Sequence, residues 1–151
     1  MFIGFCFYLI TVASHYSGLL PPPGTCPQVI PLGPVEFAAE MCPDRPDCLV
    51  FIFAGYNPEK KWVVIQKALE ETYPEPVYHS YLLHEMVHYL QDYHGQITSR
   101  GCSVQNRLER QAYDVQVSYL QQYGYDLVIP EELSPSCIPD EVPLTNEVLV
   151  L

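Results

Sequence analysis

The sequence predicts an α+β domain. Two short apolar runs, LVFIFA (49–54) and WVVIQ (62–66), flank the turn-forming stretch GYNPE, and two longer segments downstream keep a helical period. The chain has 151 residues, of which 48% are hydrophobic and 17% charged. That length suits one domain, and that composition supports a packed core rather than a disordered chain.

The elements follow in order. Residues 2–13 are apolar but too short for a bilayer, which takes about 20 residues. Phe2, Phe5, Leu9 and Val12 recur at helical spacing, and Gly18 before Pro21-Pro22-Pro23 stops them, so residues 1–18 read as a first helix. A signal-peptide remnant is the alternative, and the missing Lys or Arg ahead of the run speaks against it. PVEFAAEM (34–41) reads as a short helix with proline in its first turn. LVFIFA reads as a buried strand, paired in a hairpin with WVVIQ. Pro74 and Pro76 lead into a long helix over about 77–94, ended by Gly95. Ser103 N-caps another to about Tyr123, with Val104, Leu108, Ala112, Val115 and Leu120 on its apolar side and Gly124 closing it. The domain is expected over 1–125. Residues 126–151 hold six acids, four prolines and no Lys or Arg, which predicts an acidic tail that lies over the domain or is partly disordered.

Charge and cysteines bound the function. A net charge of -11 leaves no surplus cations to neutralise phosphates, which excludes a nucleic-acid binder and electrostatic docking to anionic membranes. No stable membrane insertion is expected. Six cysteines stand at 6, 26, 42, 48, 102 and 137. Cys42 and Cys48 bracket a turn-rich loop and can pair; the other connectivities stay open. The even count points to an oxidising compartment, periplasmic or secreted. A cytoplasmic protein with cysteines as small buried hydrophobes is the alternative.

Chemistry is concentrated at His84-Glu85-Met86-Val87-His88, an HExxH inside the long helix. Residues four apart share a helix face, so His84 and His88 can grip one metal ion while Glu85 beside them acts as general base. At about 100° per residue, His84, Glu85, His88 and Asp92 fall in one quadrant, opposite Leu82, Leu83, Met86, Leu90 and Tyr93. A hydrolytic zinc needs a third protein ligand. His94 has the ten-residue spacing of HExxHxxGxxH, but Gln91 stands where that motif needs glycine, so His94 is expected to cap the helix end instead. Glu109, on the following helix, completes a His₂Glu set once that helix returns antiparallel. Asp92 is expected to hold a histidine N–H from behind.

HEMVH with Glu109 downstream resembles the gluzincin branch of the zincin metallopeptidases. LLHEMVHYLQ followed by Cys102 and LERQAYDVQ (108–116) is similar to short bacterial proteins predicted to be zincins, over about residues 48–124. The resemblance implies Zn²⁺ held by His84, His88 and Glu109, with Glu85 as general base and a peptide or protein as substrate. It also implies a minimal zincin-like domain: a small sheet on the HExxH helix, a second helix carrying the third ligand, and an edge strand that pairs an extended peptide, for which 62–66 is the candidate. No histidine follows His94, so Tyr113 or Arg100 is left as hydrogen-bond donor to the developing oxyanion, Tyr113 being the catalytic candidate. The expected reaction is peptide hydrolysis; the alternative is a non-catalytic binding protein stapled by zinc, which a fourth protein ligand such as Asp92 would mark.

Overall fold

The computed structural model describes residues 3–140. The chain is mixed α+β, with five α-helices and a three-stranded sheet among the described residues. In order these are α1 (Ile3–Ser17), β1 (Gln28–Leu32), α2 (Pro34–Met41), a 3-10 turn (Pro46–Val50), β2 (Ala54–Asn57), β3 (Trp62–Gln66), α3 (Leu69–Thr72), α4 (Glu75–Tyr93) and α5 (Cys102–Gln121).

β3 is central, not an edge: the strand order is β1-β3-β2, with β1 parallel and β2 antiparallel to it. Val63, Val64 and Ile65 are all buried. Consecutive buried residues in a strand require cover on both faces, which fits a central position better than an edge. Val63 and Ile65 join the main core under α4, while α2 packs against β3 and buries Phe37. β1 lies between the first helix and PVEFAAEM, where the sequence reading placed no element. Its Pro31 is tolerated because β1 is an edge strand with one partner.

The run 49–54 is not a buried strand. Pro46 opens a 3-10 turn over most of its first half, and a Cys42–Cys48 disulfide closes the preceding loop. Val50 is 78% and Phe51 53% exposed. The strand begins at Ala54 and takes in Gly55-Tyr56-Asn57, the residues read as a turn. The turn itself falls on 58–61, where the Asn57 side chain accepts the N–H of Glu59 and Lys60 and Lys61 has a positive φ.

α4 lies at the centre, packed against α5, α1 and strands β2 and β3. Leu82, Leu83, Met86, Val87 and Leu90 have no solvent exposure, and Leu9, Ile10 and Ala13 of α1 meet them in one core. The apolar face of α1 is therefore centred a residue later than its sequence stripe suggested, and Tyr93 reaches solvent. α4 ends as expected at Gly95, whose φ of 68° lets Gln96 N–H return to the Gln91 carbonyl and Gly95 N–H to that of Asp92. The N-cap of α5 is Gly101 rather than Ser103; the Ser103 N–H and hydroxyl both donate to Asp140.

That last contact belongs to a strap. Residues 126–140 fold back along the domain, fastened by the Cys102–Cys137 disulfide and by backbone pairing of Arg100 and Cys102 with Ile138. Cys6–Cys26 ties α1 to the chain entering β1. Residues 141–151 of the acidic tail lie outside the described residues.

Candidate metal centre

α4 and α5 run antiparallel, so residues that descend one helix meet residues that ascend the other. Ser80 and His84 face Gln116, His84 and His88 face Glu109, and Gln91 faces Leu108 and Gln111. Three ligand side chains converge. His84 Nε2 lies 3.0 Å from Glu109 Oε2, His88 Nε2 lies 3.1 Å from Glu109 Oε1, and the two Nε2 atoms are 3.2 Å apart. Bonds of about 2.1 Å at tetrahedral angles put ligand atoms roughly 3.4 Å from one another. The triangle is therefore the size that a small divalent ion spans, and His84, His88 and Glu109 form a group able to hold a metal ion.

The hydrogen-bond network sets which ring nitrogens are free. Ser80 donates its hydroxyl to the Val77 carbonyl, so its oxygen accepts from Gln116 Nε2. Gln116 then offers Oε1 to His84 Nδ1 at 3.0 Å. Gln91 spends its Nε2 on the Leu108 carbonyl and Gln111 Oε1, leaving Oε1 for His88 Nδ1 at 2.8 Å. An amide oxygen only accepts, so both Nδ1 atoms carry hydrogen and both Nε2 lone pairs point at the carboxylate. Three electron-rich atoms brought this close need a positive charge among them. Among protein groups alone, burial lowers the His88 pKa but hydrogen bonding and charge from Glu109 outweigh it, pushing it up to about 9. Burial likewise raises Glu109, and the hydrogen bonds from His84 and His88 win, holding it well below the ordinary carboxylate range.

Sequence reading did not find the two glutamines. Asp92 does not support a histidine: it accepts from Tyr56 Oη at 2.6 Å and from Lys61 Nζ, which tie α4 to the β2–β3 hairpin. The reason is angular. Gln91, three residues after His88, turns toward α5, whereas Asp92 turns toward the sheet. At about 100° per residue Gln91 falls about 20° from His84, on the histidine face of the helix, and that placement is the signal that could have found it. His94 lies away from the cluster and bonds the Leu20 carbonyl at 2.7 Å. Among the described residues no fourth Asp, Glu, Cys or His joins the three.

Glu85 is 8% exposed and sits beside the ligands. Burial raises its pKa, opposed by the charges of His84 and His88, with Glu109 adding to the rise and the backbone N–H of Tyr56 opposing it. The Tyr113 ring stands edge-on to His84, with centroids 4.6 Å apart. Burial, then the charges of Glu109 and Glu85, push its phenol up to about 12, so it remains a donor at neutral pH.

His84, Glu85, Glu109 and Tyr113 open onto a cavity of about 1080 Å³. One wall is the loop 41–54 with its Cys42–Cys48 bridge; the other is the strap 127–137. The strap is the second wall that the helices alone lack. β2 is the edge strand on this side. Gln66 N–H bonds the Phe53 carbonyl, and since antiparallel pairing alternates, Ala54 and Tyr56 turn their backbone groups away from β3.

No match is found among protein-family models, curated proteins or solved structures. The site therefore stands on its own geometry.

Proposed function

We propose that this protein is a zinc-dependent hydrolase, a gluzincin-like metallopeptidase on a minimal zincin-like fold. One observation carries the reading: two imidazoles with their Nδ1–H groups committed turn both Nε2 lone pairs onto one carboxylate, with an acid beside them in an open cavity. Nitrogen and oxygen donors in a three-ligand set suit zinc with a position left for substrate. Bound by His84, His88 and Glu109, zinc supplies a Lewis acid that acidifies water and polarises a carbonyl. Glu85, kept basic enough by burial, takes the proton of the attacking water and passes it to the leaving amine. Tyr113 donates to the oxygen that gains charge. The backbone groups of Ala54 and the carbonyl of Tyr56, which turn away from β3, pair an extended peptide along β2, a role in which β2 replaces 62–66. Three disulfides fit an oxidising compartment.

Metal analysis of the purified protein is expected to find one zinc per chain. Glu85→Gln should retain that zinc while cleavage of a mixed peptide pool drops about 100-fold or more. A metal-free protein, or unchanged cleavage by Glu85→Gln, overturns the reading.

A further inference from the structure

We propose that Arg100 forms an anion subsite of the cleft, receiving a carboxylate of the peptide substrate. The inference rests on the peptidase reading and adds a substrate class to it. The chain has seven Lys and Arg against eighteen acids, and cations in so acidic a protein are readily drawn into ion pairs. Lys60 pairs with Glu40, Lys61 with Asp92, and Arg45 lies by Asp47 and over the Phe51 ring. Arg100, Lys67, Arg107 and Arg110 have no ion-pair partner among the described residues, and of these four only Arg100 lines the cavity that holds Glu85 and Glu109. Glu132 on the strap also faces that cavity, outside ion-pair distance.

The backbone at Arg100 is held in place. Its carbonyl accepts Ile138 N–H at 2.9 Å, and the Cys102–Cys137 bond fastens the strap beside it. Ser134, on the same wall, has a buried hydroxyl oxygen without a hydrogen-bond partner. A planar guanidinium carried on a fixed backbone at the border of a cleft is matched by a carboxylate.

The test uses full-length, zinc-loaded protein and end-blocked decapeptides in which a single glutamate or glutamine is walked along the sequence. A parallel pair ends in a free or an amidated carboxyl, separating side-chain from terminal carboxylate. At one position the charged peptide is expected to exceed its neutral twin about tenfold in kcat/KM. Arg100→Met should collapse that ratio toward one, and Arg100→Glu should transfer the preference to lysine. Fluorescence anisotropy of the labelled twins reads the same ratio as binding, whether or not any peptide is cut. If nothing is cleaved yet charge-dependent binding vanishes in Arg100→Met, the peptidase reading fails and the subsite stands. Equal binding of every charged and neutral pair, or a preference that survives in Arg100→Met, overturns the subsite.

Discussion

Gln116 Oε1 lies 3.0 Å from His84 Nδ1, reaching across from α5 seven residues beyond the carboxylate that the same helix supplies. One helix thus provides both a ligand and the group that aims another ligand. At seven residues the helix has made about two turns, so Glu109 and Gln116 share a face and straddle the two faces of one imidazole's reach.

Replacing Gln116 by Leu removes the acceptor but preserves bulk. Zinc affinity is expected to fall about 10–100-fold with the fold intact, read by competition against a chelating dye alongside circular dichroism. An affinity within twofold of the wild type would show that the glutamine does not orient His84.

Tyr113→Phe keeps the ring against His84 and deletes the hydroxyl. The expected result is a kcat lower by about 10²–10³-fold with zinc content and KM retained. Retained kcat would return the donor role to another group.

In chelator-stripped protein, the His88–Glu109 pair predicts a definite pH profile. His88 titrates above its ordinary value, so its contribution is complete below about 6.5 and is lost as pH rises through about 9. Glu109 titrates below its ordinary value, so its contribution is present above about 4.3 and fades in stronger acid. Thermal unfolding should show greatest stability near pH 5–6.5, roughly between those unfolded-state values. His88→Ala should flatten the alkaline limb; a limb that persists unchanged would assign it elsewhere.

Removing the Cys102–Cys137 bond by a double serine substitution frees a strap whose anchor closes 35 residues of chain. Unfolding stability should fall by roughly 3–4 kcal/mol. Because the strap is a cavity wall and holds none of the three ligands, KM should rise while zinc stays bound. Equal KM before and after would separate the strap from substrate contact.

Local chemistry was legible wherever one segment decides its own state. Pro34 at a helix start gave both ends of α2, and the β-branched run Trp62–Gln66 both ends of β3. Gly95 marked the end of α4 because a positive φ is needed there. The expected ligands His84, His88 and Glu109 do converge, since four-residue spacing and an antiparallel return are the only requirements. LVFIFA misled because apolar content alone does not distinguish a strand from a cavity lining held by Pro46 and a disulfide. QVIPL carries no strand signal of its own, because a proline argues against a strand unless that strand is an edge.

By itself the sequence determined the histidine pair, the acid next to it and the helices that carry them, all of which follow from spacing along one segment. Tertiary structure decided what lies between segments: that β3 is central and β2 borders the cleft, that Gln91 and Gln116 rather than Asp92 orient the rings, and that a strap pinned to Cys102 walls the site. Those outcomes depend on how helices and strands turn toward one another, and periodicity within a single element carries no information about the direction from which its neighbours arrive.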